Sequence, residues 1–207
     1  MNITKATEEY ISSHPSIRDC VSKGLINYSA LAREICDELK IDSFDAVLIA
    51  IRRYFLKINS NENQEKEILK LLKNVKVRVR NKILVTIMDK PRDMEKIYMF
   101  QKKIKKDKGD FNLIEGENSI TLVTNSKYSK EIKEEFKHWI IKNSENLVQI
   151  AIIFDPQIET TPGIVNYVYG LLAENGINIL EEMSCWTDLM IIIDEKDLAK
   201  TMKVLSF

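Results

Sequence analysis

Two successive segments of this chain show the same order of apolar patterns, and this repetition restricts the fold more than any other feature. Apolar residues that alternate or run on continuously predict strands, and apolar residues three and four apart predict helices. By these rules residues 82–142 and 147–207 both have the order strand, helix, strand, strand, helix. The segments agree in element order and not in sequence, which indicates an internal structural repeat whose first copy has diverged.

The first copy is preceded by a strand that has no place in the repeat. In residues 75–80 valines alternate with basic residues, which predicts a half-exposed strand, and Asn81-Lys82 is a predicted turn. We expect this strand to be the borrowed one that completes a four-stranded antiparallel sheet. The first copy itself consists of a predicted strand at ILVTIM, a helix at about 92–106, strands at FNLIEG and SITLVTN, and a helix at 129–142.

The second copy has the clearer pattern. The run LVQIAIIF from Leu147 is apolar almost throughout, as expected for a strand that is covered on both faces. A loop leads to a helix from Gly163 to Asn175, and Gly176 ends this helix because glycine tolerates the left-handed conformation. Two strands, INILEEM and DLMIIID, and a closing helix in EKDLAKTMKVL complete the copy.

Residues 1–58 are predicted to be helical throughout. Apolar residues form one stripe from Tyr28 to Leu39, and Ser29 is the predicted N-cap of that helix. The next helix, 44–58, is apolar almost all round at its start, so it has to be buried on several sides. The earlier predicted helices are 3–13 and a short one that Pro15 opens and Gly24 ends.

The polar stretch NSNENQEKE at 59–67 interrupts these patterns and is the predicted domain boundary, followed by a short helix at about Glu67–Lys73. The predicted fold class is therefore α+β, with an N-terminal helical domain and two βαββα units. The predicted domains are 1–60, which is helical with a helix-turn-helix-like spacing, 70–146 and 147–207.

The run TTPGIVNYVYGLLAENGINILEEMSCWTDLMIIIDEKDLAKTMKVL resembles the ACT domain, the regulatory module attached to aspartokinases and to other enzymes of amino-acid pathways. The matching features are Pro162-Gly163, Leu171-Leu172, the run 176–179 and the run 194–198. The resemblance implies ferredoxin-like units, and residues 70–146 match in element order alone, as a degenerate ACT-like unit. The N-terminal run HPSIRDCVSKGLINYSALAREI resembles a helical module found ahead of ACT domains in archaeal proteins.

The ACT-like segment contains a candidate site for a small metabolite. Gly163 lets backbone amides approach a ligand closely, and the helix that starts there favours a carboxylate. Asn178 offers a donor and an acceptor, and Asp155 with Glu159 can meet an ammonium group. The candidate ligand-binding residues are Asp155, Thr161, Pro162, Gly163, Ile164, Asn178 and Ile179. The alternative is structural: Pro162-Gly163 only begins a helix, and residues 176–179 only lead into a strand.

No pattern in the sequence favours catalysis, a cofactor or a metal. His14 and His138 lie far apart, without a cysteine or carboxylate at ligand spacing. Cys185 stands beside Trp186 without an adjacent base, which favours a structural cysteine over a nucleophile. Phosphate-cradling loops and the Gly-x-Ser-x-Gly motif are absent from the sequence.

Nucleic acid is an alternative partner that the residue pattern does not favour. The basic run Lys102, Lys103, Lys105, Lys106 and Lys108 fits the solvated side of a helix that buries its apolar residues. The second helix of the helix-turn-helix-like pair offers mostly apolar side chains where a major groove needs polar ones. Formal charge is also zero over residues 1–60, while it is +6 over 61–146 and −6 over 147–207. The opposite charges can attract each other within or between chains.

The predicted location is the cytoplasm. No apolar run reaches the eighteen or so residues that a membrane-spanning helix needs, and the N-terminus lacks a secretory pattern. The three cysteines, Cys20, Cys36 and Cys185, are odd in number and widely spaced, which is typical of reduced thiols.

The resemblance to the ACT domain, together with these patterns, implies a non-catalytic regulator that senses a small metabolite, expected to be an amino acid. The effector is expected where the loop 155–164 faces the start of the Asn178 strand of a neighbouring unit. We expect a homodimer, or an intrachain pair of units that copies it, because a single unit leaves an apolar sheet face or an open strand edge. The helical domain is expected to carry the signal to a partner enzyme or to nucleic acid. The alternatives are an amino-acid-responsive transcription regulator whose helical domain binds DNA, and an oligomerisation protein that binds no ligand.

Overall fold

The computed structural model describes residues 2–58 and 62–207, with the backbone alone at 62–65. The chain divides into two compact units, Met1–Glu67 and Ile68–Phe207. Each unit has its own apolar cores, so each is described by itself.

The first unit is helical. Its elements are α1 (Ile3–Ser13), α2 (Pro15–Ser22), α3 (Tyr28–Leu39) and α4 (Phe44–Ile58), and α5 (Glu62–Leu72) runs into the second unit. Helix α4 packs against α1, α2 and α3. Its Val47, Ala50, Ile51 and Tyr54 are buried, which explains the apolar start of this helix.

Individual residues determine where α2 ends and where α3 begins. Gly24 has a φ of +65°, as predicted for the residue that follows α2. The predicted Ser29 cap is wrong, because the Asn27 carboxamide oxygen accepts hydrogen bonds from the amides of Ser29 (3.0 Å) and Ala30 (3.1 Å). Asn27 therefore caps α3 from the position before the helix, and Ser29 lies inside the first turn.

The second unit is built on a six-stranded antiparallel sheet with the order β2-β3-β1-β4-β6-β5. The order strand, helix, strand, strand, helix occurs twice, first from β1 to α7 and then from β4 to α9. The elements of this unit are β1 (Lys76–Asp89), α6 (Glu95–Lys106), β2 (Phe111–Glu115), β3 (Ser119–Asn125), α7 (Ser129–Glu135), β4 (Ile140–Ile153), α8 (Ile164–Glu174), β5 (Glu181–Cys185), β6 (Asp188–Asp194) and α9 (Leu198–Val204).

The two long strands β1 and β4 are shared between the copies. Residues 76–80 of β1 pair with 149–153 of β4, and residues 140–144 of β4 pair with 85–88 of β1. We call β2, β3, 83–89 and 140–144 the first half-sheet, and 76–80, 147–153, β6 and β5 the second half-sheet. Each half-sheet therefore has four strands and takes one from the other copy, so the predicted donor role of 75–80 is confirmed.

The predicted turn at Asn81-Lys82 is wrong, because β1 is continuous. The pairing of β1 with β4 shifts register between Arg80 and Ile83, and Lys82 has a φ of +57°. These features are those of a β-bulge, which bends a strand without ending it. The polar pair Asn81-Lys82 thus marks a bend between the half-sheets.

The predicted helix 129–142 ends early, at Glu135. Residues from Ile140 onward form β4, and the Asp89 amide donates to the Trp139 carbonyl at 2.8 Å. Phe136 and Trp139 still turn inward and stack at 5.9 Å between ring centroids. Inward-facing residues of a turn and a strand can therefore have the spacing of a helical face. Here pairing with β1 overrides the helical preference.

Helices cover one face of each half-sheet and enclose a core of their own. Ile97, Phe100 and Ile104 of α6 are buried against the first half-sheet. Ile164, Val168 and Leu172 of α8 are buried against the second. A smaller cluster lies on the face turned away from the helices and joins both halves; its buried members are Ile83, Val85, Val123, Leu147 and Ile192.

Candidate functional site

The loop that carries the predicted site is held together by its own hydrogen bonds. The Asp155 carboxylate accepts from the Gln157 amide at 3.2 Å and caps a 3-10 turn over Pro156–Thr160. The Thr161 hydroxyl donates to the Gln157 carbonyl at 2.9 Å, and its side chain is buried. Both side chains thus have a structural role in the loop, while Pro162 is exposed.

The backbone conformation at residue 163 requires a glycine, independently of any space that a ligand needs. Its φ is +88° and its ψ is −5°, a left-handed conformation that strains any residue with a Cβ atom. It directly precedes α8, and no side chain in the described part of the chain caps that helix start. The first amides of a helix lack intrahelical acceptors, so the start of α8 has donors and dipole suited to a carboxylate.

Ile164 and Ile179 belong to the core. Ile164 is 2% exposed, and Ile179 is half-buried against the same cluster. Both side chains therefore have a packing role in this core.

Asn178 lies outside the strand in which it was predicted. β5 begins at Glu181, so Asn178 is in an irregular segment after the α8 terminus, and its side chain is exposed. Ile177 before it donates its amide to the Leu172 carbonyl at 2.9 Å and is buried in the same cluster as Ile164. The loop and the Asn178 segment thus border one core, but in the described part of the chain Asn178 makes no hydrogen bond to Asp155 or Thr161.

A second polar group lies where the half-sheets meet, and sequence reasoning missed it. The Thr121 hydroxyl of β3 is 3.4 Å from the Glu181 carboxylate of β5. Four strand spacings of about 4.8 Å would separate these strands by roughly 19 Å in a flat sheet. The sheet is therefore strongly bent, and the faces turned away from the helices approach each other. We call the region around Thr121, Lys142 and Glu181 the seam.

The seam places a carboxylate in a partly apolar setting. Partial burial raises the pKa of Glu181, the neighbouring Glu182 raises it further, and Thr121 and Lys142 oppose these effects. Nothing in the local pattern of Glu181 or Thr121 indicates this contact, because it joins residues sixty positions apart.

A basic depression of about 580 Å³ lies beside α7, lined by Ser126, Lys127, Ser129, Lys130, Lys133, Glu134, Lys137 and Glu145. The Glu145 carboxylate accepts from the Ser129 hydroxyl at 2.6 Å and pairs with Lys133 at 2.7 Å. These hydrogen bonds lower the pKa of Glu145. The separate lysine run of α6 is exposed, as expected for a solvated helix face.

The helical unit presents two different exposed surfaces. The exposed side of α3 carries Glu34, Asp37 and Glu38, which would repel a phosphate backbone. The exposed side of α4 carries Ile49 and Leu56, at 48% and 75% exposure, together with the basic residues Arg52, Arg53 and Lys57. The surface of α3 is therefore mainly acidic, and that of α4 mixes apolar and basic side chains.

In residues 2–58 and 62–207, no group of three or more His, Cys, Asp or Glu is placed to hold a metal ion. No helix in the described residues is both long and apolar enough to cross a bilayer. Cys20, Cys36 and Cys185 are free thiols.

Comparison with known proteins finds relatives by structure only. No protein-family model matches the chain, and no curated protein matches its sequence. The chain is similar to aspartate kinase from Clostridium acetobutylicum, described as an allosteric enzyme, with a TM-score of 0.54, 17% identity, and coverage of 62% of this chain and 33% of that chain. It is similar to the ligand-free regulatory subunit of aspartate kinase from Thermus thermophilus, with a TM-score of 0.50, 10% identity, and coverage of 62% and 92%.

A third similar structure is E. coli aspartokinase III in complex with aspartate and ADP, with a TM-score of 0.50, 12% identity, and coverage of 62% of this chain and 32% of that chain. The chain shares the fold of an aspartate kinase regulatory subunit. It spans about a third of the length of the kinases and most of the isolated subunit. The ACT-type resemblance of the sequence is thereby confirmed at the level of the fold.

Proposed function

We propose that this chain is a regulatory protein that binds an amino acid and catalyses no reaction. The observation that supports the proposal is the repeated strand, helix, strand, strand, helix order within one sheet. The chain shares this fold with a protein described as a regulatory subunit, of which it covers 92%. In this proposal residues 1–60 are a helical domain, 70–146 a degenerate ACT-like unit and 147–207 an ACT unit.

The predicted site at the start of α8 stays part of the proposal in a narrower form. The amides after Gly163 are suited to the effector's carboxylate, and a helix dipole adds on the order of 0.3–1 kcal/mol. Asn178 is exposed and available to select the effector's side chain. Asp155 accepts from the Gln157 amide through one carboxylate oxygen, and the other oxygen can accept from an ammonium group.

Regulation then follows from the shared strands. A ligand shifts a population only if it binds two arrangements with different affinity. Because β1 and β4 each belong to both half-sheets, a change in one half-sheet alters the strand that completes the other. The helical domain would pass this change to a partner enzyme.

The experiment is a thermal-shift screen of the full chain against each proteinogenic L-amino acid, followed by calorimetry on any ligand found. A ligand at a hundred times its dissociation constant stabilises the folded state by about 2.7 kcal/mol. Asn178→Ala should weaken binding if the site at α8 is correct. A screen without any stabilisation would contradict the proposal and favour a ligand-free oligomerisation protein.

The proposal includes a homodimer. The edge strands of the sheet are β2 and β5, and unpaired strand edges are commonly covered or paired with another chain. Light scattering on the full chain tests this directly, and a strictly monomeric protein across concentrations would remove the dimer from the proposal.

A further inference from the structure

Two rows of side chains face each other across the seam. Thr121, Ile87 and Lys142 stand side by side on β3, β1 and β4, because Ile87 pairs with both of the others. Side chains of directly paired residues share one face of a sheet. This row therefore presents a hydroxyl, an aliphatic side chain and an ammonium group on the face turned away from the helices.

The opposing row comes from the second half-sheet. Ile192 pairs with Glu181 on one side and with Gln149 on the other, so all three share one face. Ile192 is fully buried in the cluster that joins the half-sheets. Glu181 reaches across to Thr121, which places its carboxylate over the first row, near enough to Lys142 for the ammonium to affect its titration.

The direct contact across the seam is weak. At 3.4 Å the Thr121–Glu181 hydrogen bond is well beyond the usual distance of 2.7–2.8 Å for a hydroxyl donor. The carboxylate is half-buried beside the partly buried side chains Leu180 and Met183. Burial disfavours the ionised form and Lys142 offsets this only in part, so this carboxylate would gain from a closer cationic partner.

Gln149 provides a second, independent observation on the same face. Its side chain is 2% exposed, and its Oε1 atom has no hydrogen-bond partner among the residues that the structure describes. Ile83 and Leu147 are equivalent residues of the two copies and pair with each other. Two residues after each of them, the first copy has Val85 and the second copy has Gln149. Because an apolar side chain suffices at that place in the first copy, packing alone does not require the amide.

We propose that the seam binds a zwitterionic amino acid whose ammonium group pairs with Glu181 and whose carboxylate pairs with Lys142 and Thr121. The ligand replaces one long hydrogen bond by charge-assisted contacts, which are shorter and stronger. Its side chain lies against the aliphatic residues of the seam, such as Ile87. Since the ligand bridges both half-sheets, its binding changes how they meet.

This inference deepens the proposed function, because it assigns the effector to a site other than the start of α8. Calorimetry on the full chain tests it with the amino acid that gives the largest thermal shift. Glu181→Gln and Lys142→Met should each weaken binding on the order of ten- to hundredfold. Glu182→Gln is the matched control, because Glu182 lies on the opposite face and bonds to Tyr169.

Two analogues of that amino acid sharpen the test. The decarboxylated amine should lose its dependence on Lys142 and keep its dependence on Glu181, and the deaminated acid should do the reverse. Such a crossed pattern would support the assignment of both charged groups.

Three other results would overturn the seam site, and each has a different consequence for the proposed function. Unchanged affinity in Glu181→Gln and Lys142→Met, with loss in Asn178→Ala, would move the site to α8 and keep the proposed function. An equal loss in Glu182→Gln and Glu181→Gln would indicate a general charge effect. No binding of any amino acid by the wild-type chain would remove both the seam site and the proposed function.

Discussion

The two copies differ most where the first strand of each leads into its helix. In the first copy five residues connect β1 to α6, and the Asp93 carboxylate accepts from the Glu95 amide at 2.8 Å. In the second copy ten residues connect β4 to α8, Gly163 adopts its positive φ, and no side chain caps the helix. Neither helix has a side-chain N-cap among the described residues, but the Asp93 carboxylate bonds the first amide of α6, whereas Pro162 stands at the corresponding position before α8.

The fold and a ligand set different requirements on these connections. Both connections return the chain across the same kind of half-sheet, so the fold tolerates the short form. The longer loop and the glycine are not required by the topology. Their presence in the second copy alone supports the proposed site at the start of α8.

The largest expected effect concerns the cores of the two copies. Ile97→Ala and Ile164→Ala remove the first buried side chain of α6 and α8, and each should cost about 2–5 kcal/mol of the free energy of unfolding. Because β1 and β4 belong to both half-sheets, residues 68–207 should unfold in a single transition in both variants. Urea unfolding followed by circular dichroism measures this. A variant in which one half-sheet unfolds ahead of the other would show that the copies are independent.

The second prediction uses two glycines around α8. Gly163→Ala forces a Cβ atom into a positive φ and should destabilise the fold by about 1–2 kcal/mol. Gly170→Ala is the control, because Gly170 is inside the helix and an added Cβ meets no atom within 4 Å. That variant should be stabilised by roughly 0.5–1 kcal/mol. Equal destabilisation of both would mean that the backbone at Gly163 is not specialised.

The third prediction concerns the pH dependence of the seam. Since the pKa of Glu181 is raised in the folded state, its ionised form opposes folding at neutral pH. Glu181→Gln should therefore raise the melting temperature at pH 7, and the gain should shrink as the pH falls through the raised pKa. Melting curves of both proteins between neutral and acidic pH measure the difference. A gain that grew on acidification would have the wrong sign for this carboxyl.

The smallest effect is expected at the basic depression of the first copy. Hydrogen bonds lower the pKa of Glu145 in the folded state, so its contribution is present above its ordinary pKa near 4.5 and is lost as the pH falls through the lowered pKa. A double-mutant cycle of Glu145→Gln and Lys133→Met at neutral pH should give about 0.2–1 kcal/mol, as for other exposed ion pairs. The coupling should disappear in strong acid. Coupling that persisted there would show that charge does not hold the pair.

Several elements could be predicted from local patterns because local chemistry decides them. Helix α1 was predicted with the limits that the structure shows, and Gly24 and Pro15 have the positions expected of residues that end and begin helices. The strand 75–80 was identified as a donor because it had no partner within its own copy. The ACT-type resemblance rested on the second copy, whose loop, helix and strands follow each other without ambiguity.

The errors occurred where distant pairing overrides local preference. Residues 136–140 have helical spacing, yet Ile140 begins β4 because β1 offers a partner for it. Asn178 was placed in a strand, but pairing with β6 starts only at Glu181. The assignment of Ile164 and Ile179 to the ligand site stays a prediction, and the structure adds that both pack in the core.

The sequence by itself determined the element order, the repeat and the glycines that end α2 and α8, because hydrophobic periodicity and positive φ are properties of a few neighbouring residues. Only the tertiary structure decided that β1 and β4 are shared and that the sheet bends until Thr121 meets Glu181. The physical reason is that strand pairing, including the bulge at Lys82, joins residues that are sixty or more positions apart in the sequence. No local pattern carries information over that separation, so the seam was visible only after folding.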